Sequence, residues 1–527
     1  MNGAQSLIRT LVDSGVDVCF SNPGTSEMHF VAALDSTDAS GAGGHGGPGM
    51  RGVLGLFEGV VTGAADGYAR IAEKPAATLL HLGPGLGNGL ANLHNARRAH
   101  TPIVNVIGDH ATYHKKYDAP LESDIEAVAG SLNGWVRRSD STADVGADAA
   151  AAVAASQDPP GRVATLILPA DISWSEGGVP VAPIPPRVPH AVAETTVKSV
   201  AEILRTGEPV ALLFGGPACR EAGLRAISRI AATTGAKPFA ETFPARLERG
   251  AGLPNFERLG YLAEQAAYQL QGVEHVIVAG TKAPVSFFAY PGKPSELVPD
   301  GAQVHILAEL GHDVVGALEA LADAVCPGTE PVLQQAKRPE LPSGPLTAQS
   351  WVDVIGALLP EGAIISDEAN TSGLLLPGAT AGAPRHDVLT LTGGAIGQGL
   401  PVATGAAVAA PDRPVIALQA DGSALYTISA LWTQARENLN VTTVVLNNRA
   451  YAILRMELQR VGADAGGPKA NDLLDLARPD MDFVKIAEGL GVPATSATTA
   501  EELADQFRRA LAEPGPHLID AHVPPLM

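Results

Sequence analysis

Asp421 follows an apolar run, Val415 to Leu418, and precedes Gly422 in ALQADGSALYT; 27 positions later Asn448 follows a second apolar run, TTVVL. A carboxylate and an amide carbonyl are both oxygen donors, and a hard cation such as Mg2+ takes one or two oxygens from protein and the rest from phosphate and water. Asp421 would supply charge, Asn448 a side-chain carbonyl and Ala450 a backbone carbonyl. Gly422 lets the chain approach a phosphate closely, and Ser423 would donate to it from the start of the following helix. Asp-Gly and Asn-Asn are also common turn dipeptides, so neither carries the reading alone. A third candidate is Glu58 in GLFEGVVTGAADGYAR, which ends an apolar strand and opens a helix. A carboxylate there is costly without a partner, and a protonated ligand nitrogen is a suitable one. Gly63, Ala64, Ala65 and Gly67 on the same helix leave room for a second helix.

The elements that must position these groups are legible as alternation. Strand-like runs VDVCF, GVLGLF, ATLLHL and IVNVIG, then PVALLFG and HVIVAG, then AIISD, VIALQA and TTVVLN alternate with helix-like stretches. Such alternation points to parallel sheets covered by helices on both faces, with ligands at the carboxyl edges of the strands. Between Asp421 and Asn448 lies a helix-like middle, Ile428 to Glu437, so both groups should emerge at the same edge of adjacent strands. Two proline-rich stretches, VPVAPIPPRVPHAV from Val179 and CPGTEPVLQQAKRPELPSGP from Cys326, suit extended linkers. The expected fold is therefore α/β with three doubly wound parallel-sheet domains, residues 1–180, 190–326 and 345–527. The Gly-rich segment GAGGHGGPG from Gly41 reads as a loop without chemistry of its own.

Composition narrows the function. With 527 residues, 46% of them hydrophobic, the chain can bury several cores. Asp and Glu outnumber Lys and Arg 56 to 36, a balance unsuited to holding polyanions, so no nucleic-acid partner is expected. Cys19, Cys219 and Cys326 are too few and scattered for a disulfide framework or a zinc site, which fits a reducing compartment, the cytoplasm by default. The N-terminus lacks the unbroken apolar core of a signal peptide, and apolar stretches such as Pro401 to Ala410 are too short to cross a bilayer.

ADGS followed by NN at this spacing resembles the diphosphate-binding signature of thiamine diphosphate enzymes, usually GDG and then NN, with Ala420 here in place of the first glycine. The resemblance extends over almost the whole chain and is nearest to the branch holding benzoylformate decarboxylase and the acetolactate synthase large subunit. It implies three α/β domains in the order pyrimidine-binding, central, diphosphate-binding, with thiamine diphosphate and Mg2+ as cofactors. It implies that Glu58 hydrogen-bonds the aminopyrimidine ring and promotes the imino tautomer. In LTGGAIGQGLPVATGAA, it implies that the Gly394 carbonyl accepts from the cofactor amino group and that Ile396 wedges between its rings. In DEANTS it implies that Asn370 and Thr371 reach the diphosphate. Two further matches concern substrate: Thr25 in NPGTSE, whose hydroxyl would contact a carboxylate, and His81 in LLHLGPGLGNG, a candidate for proton transfer. Read without the resemblance, NPGTSE is a turn into a helix with Gly24 flexible and Thr25 or Ser26 as N-cap.

The chain also departs from its models. Phe287, Phe288 and Ala289 stand where benzoylformate decarboxylase carries a second histidine. The flavin-associated segment of acetolactate synthases is absent, so FAD is not expected, and KYDAPLESDI has Pro120 and Leu121 where phenylalanine and glutamine are usual. Pyruvate decarboxylases have adjacent histidines where His110 and His114 are separated, and a glutamate where Leu454 stands. The resemblance thus implies decarboxylation of a small-molecule 2-oxo acid, with release of an aldehyde or transfer to a second carbonyl. The alternatives are an acetolactate synthase-like carboligase acting on pyruvate and a non-catalytic thiamine diphosphate-binding protein. It further implies a homodimer or homotetramer in which Glu58 and the metal site meet across a subunit interface.

Overall fold

The computed structural model describes residues 1–35, 49–463 and 467–525. Each strand-like run named above contributes a strand, and the strands assemble into three sheets. The first has six parallel strands in the order Arg51–Leu54, Val18–Asn22, Ala76–Leu80, Ile103–Asp109, Val163–Pro169 and Trp135–Arg138. The second has five: Glu257–Arg258, Lys237–Ala240, Val210–Phe214, His275–Ala279 and Gln303–Ala308, again parallel. The third runs Ala494–Ala497, His517–His522, Val441–Asn447, Val415–Ala420, Ala363–Glu368 and His386–Thr390, and ends on Leu247–Arg249. Central strands such as Ala76–Leu80, Val210–Phe214 and Val441–Asn447 are buried along their whole length because helices cover both faces.

The last strand departs from the expected scheme. Leu247–Arg249 belongs to the middle stretch of the chain, yet it pairs antiparallel with His386, Asp387 and Val388 of the third sheet. Charge fixes the join, since Asp387 accepts from Arg246 Nε and Arg413 Nη2, both at 2.6 Å. Three residues are too short a run to show a strand period, so the sequence reading missed it. Between helix Ala170–Trp174 and helix Glu194–Arg205, and between Val314–Val325 and Ala348–Leu358, the described residues form no helix or strand, as the prolines there require. All of Gly41–Gly49 but its last residue lies outside the described residues. Among the described residues no helix is long and apolar enough to cross a membrane.

Small residues let helix Glu58–Ala72 sink against helix Gly399–Ala409. A Cβ at Gly67 would lie 2.1 Å from the Val402 carbonyl oxygen, and one at Gly405 would lie 1.8 Å from that of Ala64. Arg70 then locks the first helix in place. It pairs with buried Asp66 at 2.5 Å and donates to the carbonyls of Thr390 (2.9 Å) and Ala245 (3.1 Å), so one guanidinium ties residues from all three parts of the chain.

At the carboxyl edge of the middle sheet, Glu241 accepts from Gly216 N and Thr281 Oγ1, each at 3.0 Å. Gly215 makes the space, since a Cβ there would come within 2.5 Å of the carboxyl carbon. Burial pushes the acid up to about 7. The carboxylate thus joins the ends of three neighbouring strands at this edge.

Candidate active site

Strands Val415–Ala420 and Val441–Asn447 are parallel neighbours with Ala420 opposite Leu446. Asp421 and Asn448 accordingly leave the same edge of adjacent strands. Asp421 is 2% exposed; Oδ1 accepts from Gly422 N at 2.7 Å and Oδ2 from Arg449 N at 2.6 Å. Burial raises its pKa, and these N–H groups work against the rise. Asn448 Oδ1 accepts from Ala450 N at 3.0 Å, and its Nδ2 lies 3.5 Å from Ser372 Oγ. Asn370 and Thr371 follow the adjacent strand Ala363–Glu368 in a 3-10 turn, with Asn370 exposed at φ 51° and Thr371 half-buried. Gly422 is close-packed: a Cβ would meet the Tyr451 ring at 2.5 Å. Ser423 turns its hydroxyl back to Ala420 O at 3.1 Å and accepts from Gln419 Nε2 at 2.6 Å, so it serves its own strand end as well.

Among the described residues no group of three or more His, Cys, Asp or Glu side chains could hold a metal by itself. One buried carboxylate with neighbouring amide and backbone oxygens fits a cation whose remaining ligands come from phosphate and water. The donor set thus suits magnesium bridged to a diphosphate.

The first sheet presents the second cluster. Glu58, 7% exposed, begins its helix and accepts from Asn88 Nδ2 at 3.0 Å. Its Oε1 lies over Gly85, where a Cβ would come within 3.3 Å. His81 precedes helix Leu82–Ala99, and its Nδ1 meets Glu27 Oε2 at 2.7 Å. Glu27 also accepts from Gly24 N at 2.7 Å, while its Oε1 is buried without a partner against Gly108. Burial raises the pKa of Glu27, with His81 opposing. These contacts correct the reading of NPGTSE. Neither Thr25 nor Ser26 caps a helix; Thr25 is exposed at the start of a 3-10 turn whose cap is Gly24. Gly24 has φ −120°, so flexibility does not require it; a Cβ there would lie 2.3 Å from the His81 ring.

Between the clusters runs the loop carrying Gly394 and Ile396. Gly394 takes φ +75°, and Ile396 is half-buried. From the first unit, Asn95 holds both polar backbone groups of Ala395, and Asn92 Nδ2 reaches Gly59 O at 2.8 Å and Gly397 O at 3.3 Å. From the third unit, buried Glu368 accepts from Gly397 N at 2.6 Å and Gly399 N at 2.5 Å. From the middle unit comes an aromatic wall. A Cβ at Gly394 would lie 2.7 Å from Phe287 Cζ, and Phe287 packs against Phe243, Tyr261 and Phe288 at ring-centre distances of 5.9, 5.2 and 5.0 Å.

The structure thus gathers Asp421, Gly422, Ser423, Asn448, Ala450, Asn370 and Thr371 at one edge and Glu58, His81 and Thr25 at another, with the Gly394 loop touching both units. No hydrogen bond or ion pair joins Glu58 to Asp421. Sequence reasoning passed over Glu27, Asn88, Glu368 and Ser372. Glu368 carried the signal that drew notice to Asp421, an acid ending an apolar strand.

Comparison with known proteins shows the family. Residues 1–129 match the family model "Thiamine pyrophosphate enzyme, N-terminal TPP binding domain", and residues 378–521 match its C-terminal TPP binding counterpart. Over 100% of both chains the protein is 66% identical to "Putative acetolactate synthase large subunit IlvX" of Mycobacterium tuberculosis H37Rv. It is 29% identical to benzoylformate decarboxylase of Pseudomonas aeruginosa over 96% of both. The fold superposes with a TM-score of 0.83 on a thiamine diphosphate-dependent 4-hydroxybenzoylformate decarboxylase of Rhodococcus jostii RHA1, at 24% identity and 99% coverage of each chain. The chain belongs to the thiamine pyrophosphate enzymes. The resemblance read from ADGS and NN is borne out.

Proposed function

We propose that the protein decarboxylates a small 2-oxo acid with thiamine diphosphate and Mg2+, and releases an aldehyde or passes the acyl unit to a second carbonyl. The observation that carries this reading is the shared strand edge of Asp421 and Asn448, whose following segment bonds the Gly394 loop through Thr427. Asp421, Asn448 and the Ala450 carbonyl hold the metal. Gly422 and Ser423, with Asn370 and Thr371, cradle the diphosphate. When bound, thiamine diphosphate supplies the nucleophilic carbon and the electron sink that loss of CO2 from a 2-oxo acid needs. Glu58 holds a proton shared with a ring nitrogen at its carboxylate. The Gly394 carbonyl and Ile396 orient the cofactor rings, and the packed loop excludes water. Thr25 binds the substrate carboxylate, while His81 moves a proton at its imidazole, oriented by Glu27.

A homo-oligomer completes the site in this reading. Leu56, Tyr113 and Tyr117 near the Glu58 edge and Leu374, Leu425 and Tyr426 near the Asp421 edge are all exposed in the single chain. Apolar surface on that scale suits burial by a second copy. The three cysteines are free and buried, in keeping with the cytoplasm. Carboligation of pyruvate is the second reading, favoured by the name of the Mycobacterium tuberculosis relative. Incubating the full chain with Mg2+, thiamine diphosphate and a panel of 2-oxo acids, while measuring CO2, aldehyde and acyloin, tests both readings. Cofactor uptake without CO2 from any acid would instead make it a binding protein.

A further inference from the structure

Glu368 closes strand Ala363–Glu368 as a buried acid, and the Gly394 loop is built around it. Its two oxygens divide between two backbone N–H groups, Oε1 taking Gly397 and Oε2 taking Gly399, so the carboxylate spans the entry to helix Gly399–Ala409. The fit is steric as well as polar: a Cβ at Gly399 would sit 2.9 Å from both Cβ and Oε2 of Glu368. On its other side the register places Gln419 opposite Glu368, and Gln419 Nε2 donates to Ser423 Oγ at 2.6 Å. Gln419 Oε1 is itself buried without a partner and fills the remaining space at Gly399. The far side of Gly397 is held too, its carbonyl accepting from Thr427 Oγ1 at 2.9 Å.

A buried carboxylate without a cation is expensive, and a neutral side chain could close an ordinary turn. Two N–H groups aligned with the start of an eleven-residue helix offset that cost only while the loop keeps this position. We infer that Glu368 is a positioning residue which sets the distance between the Gly394–Ile396 loop and the Asp421–Ser423 turn, and so the bend of the cofactor between its ring end and its diphosphate end. The inference rests on the cofactor assignment proposed above. Glu368 itself touches neither the reacting atoms nor the metal in this scheme.

Glu368→Gln tests it, because the amide keeps the size of the side chain and can accept only one of the two N–H groups. Two probes are titrated by calorimetry with Mg2+ present: thiamine diphosphate, which would engage the loop and the turn, and inorganic diphosphate, which would engage the turn alone. The expected result is a loss of about tenfold in thiamine diphosphate affinity with inorganic diphosphate changed by less than about twofold. Amide hydrogens between residues 394 and 399 should exchange faster in the variant without cofactor. Equal losses for both probes, or none for either, would overturn the inference and leave Glu368 a fold-stabilising acid. Should the amide variant not fold, Glu368→Asp retains the charge, withdraws it by one methylene and must give the same disparity between probes. Failure of the unaltered protein to bind thiamine diphosphate would refute the proposed function itself, whereas binding without CO2 release would leave the role of Glu368 intact.

Discussion

His81 Nδ1 lies 2.7 Å from Glu27 Oε2, although 54 positions separate the two residues. The carboxylate is buried, its Oε1 has no partner, and its Oε2 is shared between the imidazole and Gly24 N. This pairing gives His81 a fixed ring orientation, which a proton-transfer group needs and a surface histidine lacks. Glu27→Gln keeps the side-chain shape and removes the charge. Steady-state kinetics should then show kcat/KM lower by on the order of tenfold or more, with cofactor affinity unchanged. Unaltered kinetics would detach Glu27 from the reaction.

Glu58→Gln should lower kcat by about a hundredfold or more while thiamine diphosphate still binds. Single-turnover CO2 measurements beside calorimetry separate the two effects. Activity close to that of the unaltered protein would reject Glu58 as the proton-holding group.

Asp421→Asn removes the charge from the metal edge but keeps an oxygen donor. Mg2+-dependent uptake of thiamine diphosphate should weaken by at least about tenfold, as expected when a hard cation loses its carboxylate. Chelation of Mg2+ from the unaltered protein should mimic the substitution, and an insensitive affinity would place the metal elsewhere.

Phe287 presses on Gly394 from the middle unit and lies in the segment where benzoylformate decarboxylase carries a second histidine. Phe287→Ala opens that wall. The ratio of kcat/KM for a bulky 2-oxo acid over pyruvate should rise by about tenfold, the range that a few methylenes of pocket space allow. A constant ratio would remove Phe287 from substrate selection.

Glu241 offers a test in stability. Its pKa is raised from 4.5 to about 7, so the folded state binds a proton that the unfolded chain releases. Its contribution is fully present below pH 4.5 and is lost as pH rises towards 7, a swing of about 3 kcal/mol. Glu241→Gln cannot titrate. Denaturant melts should show the unaltered protein losing stability relative to the variant between about pH 4.5 and pH 7, and parallel pH profiles would contradict the burial argument.

Much of the fold could be read because parallel strands buried on both faces appear as uninterrupted apolar runs, such as VIALQA and TTVVLN. Asp421 and Asn448 were legible for the same reason, as polar groups placed directly after those runs. Glu27 was not, because its role depends on His81 arriving from a neighbouring strand end, which local spacing does not encode. Gly24 illustrates the same limit: the residue looked like a flexible turn, but the space it leaves is occupied by a ring from elsewhere in the chain. Phe287 could be seen as a departure from a pattern, yet its contact with Gly394 arises only when the middle unit docks.

The strand Leu247–Arg249 bears on how far this chain is modular. A fragment severed within the proline-rich run after Cys326 would forfeit its hem, baring the backbone groups of His386 to Val388 to any passing polypeptide. The carboxyl-terminal third is therefore no portable cassette. During synthesis the early strand must also await a mate on the order of a hundred residues downstream, so this seam closes late in folding.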